Sequence, residues 1–171
     1  MKKILLLITL VVQLSCSDDD NLQQKAKINE ILVGGEAFLP TSGLIQDFGI
    51  NSTETHYLYS FYITDGSLSS DGVGIDFGET TSFYFSFFAY SLGVDAFRTG
   101  VFEFEPARLS WPDKNFYAIG EFNGNGASKL STGTITITGE KPNFALSFNM
   151  VLEDGRELSG NFETSFEIVK Q

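Results

Sequence analysis

Few residues of this sequence are suited to catalysis, and the first to consider is the single imidazole. His56 is the only histidine among 171 residues. A Ser-His-Asp triad would have to include it, yet the chain contains no Gly-x-Ser-x-Gly nucleophile elbow. A transition-metal site joining His56 to carboxylates has no supporting ligand spacing. We therefore expect a surface or strand-edge histidine without a catalytic role.

Two groups of carboxylates are the next candidates. Glu103 and Glu105 share one face of a strand, and paired carboxylates about 5–9 Å apart can hydrolyse a glycosidic bond. Like charges on a solvated edge strand, which also deter pairing with another chain, explain them more simply. The other group lies in a Gly- and Ser-rich segment and comprises Asp65, Asp71, Asp76 and Glu79. Its oxygen ligands suit Ca²⁺, but their spacing does not match an EF-hand, so turn chemistry is the simpler interpretation.

The best binding candidate is the only tryptophan. Trp111 precedes Pro112, which favours a loop, and Tyr117 lies nearby in the sequence. An aromatic ring on a loop can stack on a sugar ring or on a protein partner. The alternative is that Trp111 closes one end of the core. The sequence thus names Trp111 and Tyr117 as candidate ligand-binding residues, and it indicates no catalytic residue, metal or cofactor.

Composition excludes several classes of protein. The chain has 22 Asp+Glu against 11 Lys+Arg and a formal charge of −11, which argues against binding nucleic acid. One cysteine and one histidine exclude an internal disulfide and a Cys₄ or Cys₂His₂ zinc site. The length predicts a single domain.

The N-terminus has the pattern of an export signal. Lys2 and Lys3 precede an apolar run, Ile4–Val12, that is too short to span a bilayer. Ser15 and Cys16 follow, and this arrangement resembles a bacterial lipobox. The resemblance implies cleavage before Cys16, with lipid (palmitate among the acyl chains) on its thiol and its new amino group. The alternative is a cleavable signal peptide of a soluble secreted protein.

An acidic segment follows the cysteine. Ser17, Asp18, Asp19 and Asp20 resemble the signal that sends lipoproteins of Bacteroidota to the outer leaflet of the outer membrane. Three aspartates also keep a tether solvated, which is the alternative explanation. We predict a signal peptide over 1–15, a lipidated cysteine with a flexible acidic tether over 16–27, and one β-domain over 28–171. Membrane attachment would then come from the lipid, because so acidic a chain is repelled by an anionic membrane surface.

Alternating apolar and polar residues predict an all-β domain without helices. In the segment 57–64, Tyr57, Tyr59, Phe61 and Ile63 share a face. The segment 82–90 is apolar on both faces, which predicts a central strand. Gly34 and Gly35 suit a type I′ hairpin, because both positions need a positive φ. The predicted strands are 28–33, 36–39, 43–50, 57–64, 82–90, 101–105 and 116–122. Three further strands form a C-terminal meander, and its final strand contains both Leu158 and Ile168.

Strand parity predicts the turn between the last two strands. A two-residue Asp-Gly loop would place every apolar residue opposite a polar one. A three-residue loop, Glu153–Gly155, instead pairs Met150 with Leu158 and Phe148 with Gly160. This loop is a type I turn with Gly155 in the left-handed region, closing a G1 bulge.

About ten strands without a helical layer leave two architectures, an antiparallel β-sandwich or a closed lipocalin-like β-barrel. Unequal strands and long irregular connections at 65–81 and 105–115 favour the sandwich. Five further stretches carry a resemblance, and they are 34–36, 41–49, 98–104, 131–137 and 153–162. In these stretches the chain resembles a family of surface-exposed lipoproteins of Bacteroidota, which implies this fold and location and carries no catalytic motif.

These features favour a non-enzymatic, lipid-anchored surface protein of the outer membrane with a binding or structural role. A glycan or another envelope protein is the expected partner, and the oligomeric state is open. A barrel that carries an apolar ligand is the second hypothesis, which requires an internal void. A carbohydrate-active enzyme is the third, which requires a cleft holding two carboxylates.

Overall fold

The structure is a computed structural model that describes residues 29–72, 74–106 and 112–171. Every regular element within these ranges is a β-strand, so the all-β prediction is confirmed. The strands are β1 (Glu30–Val33), β2 (Glu36–Phe38), β3 (Ser42–Ile50), β4 (His56–Thr64), β5 (Leu68–Ser70), β6 (Ile75–Phe77), β7 (Tyr84–Leu92), β8 (Gly100–Phe104), β9 (Phe116–Gly124), β10 (Gly126–Glu140), β11 (Asn143–Leu152), β12 (Glu157–Ser165) and β13 (Glu167–Lys170).

Eleven of these strands form one sheet that curls into a half-barrel, and β5 and β6 form a separate hairpin. The strand order of the large sheet is β13-β3-β4-β7-β9-β8-β10-β11-β12-β1-β2. We call β13, β3, β4, β7 and β9 the first half, and β8, β10, β11, β12, β1 and β2 the second half. Most neighbours are antiparallel, whereas β13–β3 and β8–β9 are parallel, so the sheet is mixed.

The two halves face each other across a core of aromatic rings. Phe85 of the first half meets Phe148 of the second with ring centroids 5.1 Å apart, and Phe61 meets Phe144 at 6.1 Å. All four rings are at most 3% exposed. The predicted two-layered core is therefore built from two halves of one continuous sheet. Buried side chains from both halves form one hydrophobic cluster between them.

The predicted turns are confirmed by backbone geometry. Gly34 and Gly35 have φ of 58° and 88°, and they join Val33 to its partner Glu36. Gly155 has a φ of 86°. In the strands that its loop connects, Met150 pairs with Leu158 and Phe148 with Gly160. Parity along the sequence thus set the register correctly, because a one-residue slip would have turned the apolar side chains to solvent.

The final strand differs from the prediction. It was expected to run through Leu158 and Ile168 as one element, but it divides at Phe166. Before Phe166 the chain pairs with β11 and β1, and after it β13 pairs in parallel with β3 at the opposite edge of the sheet. The reason is that the Phe166 ring is buried between the halves, 5.6 Å from the ring of Phe61.

The segment 65–81 also differs, since it was expected to be an irregular connection. It contains the β5–β6 hairpin, in which Leu68 pairs with Phe77. The Phe77 ring stacks on Tyr84 of β7 at 4.5 Å. This contact on the outer face of the first half gives the short hairpin a surface to pack against, which two isolated strands lack in water.

We predict that Gly43→Ala lowers the free energy of unfolding by about 1–3 kcal/mol, the usual cost of overpacking a core. An added Cβ would lie 2.6 Å from Cε1 of the buried Phe166 ring, which has little room to move. Gly74→Ala is the matched control, because a Cβ there meets no atom within 4 Å and Gly74 has no left-handed φ. Its effect should stay within about 1 kcal/mol. Urea denaturation measures both, and equal effects would contradict the proposed contact.

Candidate functional site

Several of the residues named from the sequence lie outside the described ranges, so their roles stay predictions. These residues are Cys16, Ser17, Asp18, Asp19, Asp20 and Trp111.

Tyr117, the second candidate for ligand stacking, lies in the core. Its side chain is 0% exposed and packs 5.3 Å from the ring of Phe104. Burial raises the pKa of its phenol. Within the described residues the hydroxyl has no hydrogen-bond partner. In this arrangement Tyr117 supports the core from within and presents no surface to a ligand.

His56 opens strand β4, as expected, but it is buried and not at the surface. It is 1% exposed, and its ring packs edge-on against Phe116 with centroids 5.1 Å apart. Nδ1 lies 2.9 Å from Oγ1 of Thr55, and Nε2 lies 3.1 Å from the carbonyl oxygen of Lys114. The imidazole therefore ties the start of β4 to the chain before β9, which is a structural role.

Three of the acids in the two groups make structural contacts. Glu103 forms an ion pair with Lys114, and its strand β8 lies between β9 and β10, so it is not the edge strand we expected. Burial tends to raise the pKa of Asp65, but hydrogen bonds donated by Ser82 and Phe83 outweigh it and lower that pKa. Asp71 accepts a hydrogen bond from the backbone N–H of Gly74 at 2.9 Å. Both aspartates thus perform the turn chemistry expected of them.

The described residues contain no group of three or more His, Cys, Asp or Glu side chains placed to hold a metal ion. They also contain no helix that is long and apolar enough to cross a bilayer.

An open cleft of about 550 Å³ is the most suggestive feature of the surface. It lies at one end of the half-barrel, where the β10–β11 turn approaches strand β4 and the loop between β7 and β8. We call it the tyrosine cleft. It is lined by Tyr57, Tyr59, Ala96, Phe97, Arg98, Thr99, Gly139, Glu140, Lys141 and Phe144.

The floor of the tyrosine cleft consists of aromatic rings. Tyr59 and Phe97 stack in parallel, with centroids 4.2 Å apart and planes inclined by 7°. Tyr57 meets Tyr59 edge-on at 5.7 Å. Tyr57 and Tyr59 point to the same face because they lie two residues apart on β4. Tyr59 is 3% exposed, whereas Tyr57 and Phe97 are half-buried and present ring surface to the cleft.

An ion pair between a buried carboxylate and a half-exposed ammonium group flanks this aromatic floor. The carboxylate of Asp47 is 4% exposed, and its Oδ2 lies 3.3 Å from Nζ of Lys141. A bulge in β3 positions Asp47, since Gly49 adopts a φ of 69° and donates its N–H to Oδ1 at 3.1 Å. Lys141 comes from the two-residue turn between β10 and β11. Burial raises the pKa of Tyr57, and its hydrogen bond to Asp47 adds to that effect.

Arg98 stands on the other side of the cleft. Its guanidinium lies over Gly93, where an added Cβ would sit 3.1 Å from Cζ. Its backbone N–H donates to Oγ of Ser91 at 3.1 Å, which anchors the loop. The side chain is 62% exposed, and its ion contact with Asp95 measures 3.8 Å, which is longer than a hydrogen bond. Guanidinium donors thus remain available at the rim.

Exposed aromatic faces beside a few fixed donors and acceptors are suited to binding a small polar molecule with an apolar face. The sequence does not reveal this site, because alternation places Tyr57 and Tyr59 on one face of a strand without showing which distant residues meet them. A signal was present in Gln46 and Asp47, two polar residues inside an otherwise apolar strand. No known family model, curated protein or solved structure matches the chain, so the geometry of the cleft carries the functional argument.

We predict that the stability of the protein falls as the pH rises from about 10 to about 12, in part through Tyr59. Burial and the charge of Asp47 raise the pKa of Tyr59 to about 12 from the ordinary tyrosine value of 10.0. Because the folded state holds this proton more tightly, the contribution is complete below pH 10 and is lost as the pH approaches 12.

Tyr59→Phe removes the titrating hydroxyl, so its urea midpoint should fall less between pH 9 and pH 11.5 than that of the wild type. Parallel declines in the two proteins would show that Tyr59 does not contribute.

Proposed function

We propose that this chain is a lipid-anchored protein of the outer membrane, facing the cell exterior, that binds a glycan through the tyrosine cleft without catalysing a reaction. The location rests on the sequence around Cys16. The binding role rests on one observation, the pairing of exposed aromatic faces with fixed polar groups in a cleft of about 550 Å³.

The shape of a sugar explains why this combination suits a glycan. A pyranose ring has apolar C–H faces that pack on aromatic rings, and equatorial hydroxyls that need hydrogen-bond partners. Tyr57 and Phe97 supply ring surface, while Lys141, Arg98 and Glu140 supply donors and an acceptor around it. Preformed aromatic side chains lose little entropy on binding, which favours affinity for a flexible ligand.

A binding role fits the acids of the cleft better than hydrolysis does. Retaining and inverting glycosidases place two carboxylates on either side of the scissile bond. Here the carboxylate of Asp47 is held by Lys141 and Gly49, and the cleft lining adds only the exposed Glu140. A second candidate role, docking of an envelope protein, has no comparable feature within the described residues to favour it.

For the anchor, we predict that Cys16→Ser abolishes incorporation of labelled palmitate and moves the protein from the membrane fraction to the soluble fraction. Replacing Asp18, Asp19 and Asp20 together by Ala should leave the label in place but protect the protein from proteinase K added to whole cells. Membrane attachment of the Cys16→Ser protein would rule out the lipid anchor. Unchanged protease access of the triple variant would rule out the acidic export signal.

For the cleft, we predict that a glycan array probed with wild-type protein gives a signal that Tyr57→Ala reduces at least tenfold, because stacking area is lost. Phe48→Ala is the matched control, since Phe48 is 39% exposed and packs against Phe88 instead of lining the cleft. Trp111→Ala in the same experiment tests the stacking role predicted from the sequence. Absence of signal from the wild type, or equal signals from wild type and Tyr57→Ala, would contradict glycan binding in this cleft.

A further inference from the structure

We infer that the glycan bound in the tyrosine cleft carries an anionic group, a carboxylate or a sulfate, that is held between Arg98 and Lys141. This inference rests on the proposed function and adds the chemical class of the ligand.

The first argument is the distribution of charge. Acids outnumber cations by 22 to 11 in the chain, yet the lining of the cleft contains two cations and one acid. The excess of cations in the lining runs against the composition of the whole protein. Asp95 and Asp47 contact these two cations from outside the lining, so the attraction for an anion comes from the guanidinium and ammonium donors at the cleft and not from a net positive charge.

The second argument is the position of Arg98. Its guanidinium packs over the backbone at Gly93, which restricts its freedom, while the side chain stays 62% exposed. The planar fork of a guanidinium matches a carboxylate or a sulfate in a bidentate arrangement. Asp95, 87% exposed and 3.8 Å away, is a weak competitor that a ligand can replace with little loss.

The third argument is the state of Lys141. Its ammonium group has three N–H donors, and the contact with Asp47 at 3.3 Å engages one of them. The side chain is 48% exposed although its partner is buried, so the remaining donors point towards solvent at the cleft. Asp47 therefore fixes the position of Lys141 and also offsets part of its charge.

The aromatic floor distinguishes a charged sugar from a simple anion. Tyr57 and Phe97 offer apolar ring surface next to both cations, and a free carboxylate or sulfate ion would leave that surface uncovered. A pyranose bearing the anionic group satisfies both parts of the cleft at once.

The test is an array of carboxylated and sulfated saccharides printed beside their methyl-esterified or desulfated counterparts. We expect the anionic members to bind at least tenfold more tightly than their neutral counterparts, with affinity that falls as salt rises from 50 to 500 mM. The carboxylated and sulfated arms identify which group is recognised. Equal binding of anionic and neutral members overturns the inference while leaving glycan binding intact, and binding of none overturns both.

Three variants locate the anion in the cleft. Arg98→Gln and Lys141→Gln should each weaken binding of the best anionic saccharide about tenfold. Lys129→Gln makes the same charge change near the start of β10, outside the cleft lining, and should change it less than twofold. An equal loss in all three cation variants overturns the inference.

Discussion

The packing of Phe166 between the two halves of the sheet is the constraint on which the rest of the structure depends. Strand β12, before Phe166, belongs to the second half of the sheet, and strand β13, after it, belongs to the first half. The chain therefore passes from one half to the other at Phe166. Its ring meets Phe61, Phe144 and Phe162. Gly43 leaves the space that the ring fills, because any side chain there would overlap it.

The same residue positions the cleft. The backbone N–H of Phe166 donates to the carbonyl oxygen of Pro142 at 3.0 Å, and Pro142 is the neighbour of Lys141 in the β10–β11 turn. Fixing this turn against the core brings the ammonium group to the carboxylate of Asp47 on β3. A buried carboxylate without partners would be costly, and Lys141, Tyr57 and the Gly49 N–H together offset that cost. The packing of Phe166 in the core therefore also fixes the ion pair between Lys141 and Asp47.

The tyrosine cleft differs in its charged residues from the protein as a whole. The overall excess of acids keeps the chain soluble and repels it from anionic surfaces, which is compatible with attachment through a lipid. The tyrosine cleft departs from that excess by placing Arg98 and Lys141 beside aromatic rings. Arg98 and Lys141 are the donors to which the proposed anionic ligand binds.

The sequence by itself determined what depends on neighbouring residues. Alternation has a period of two and left-handed turns need glycine, so strand faces, the Gly34-Gly35 hairpin and the register around Gly155 followed directly. Only the tertiary structure decided which strands meet across long separations. Asp47 and Lys141 lie 94 residues apart, and β13 leaves β12 to pair with β3. Local patterns do not encode such contacts, because they arise when the buried faces of distant strands pack together.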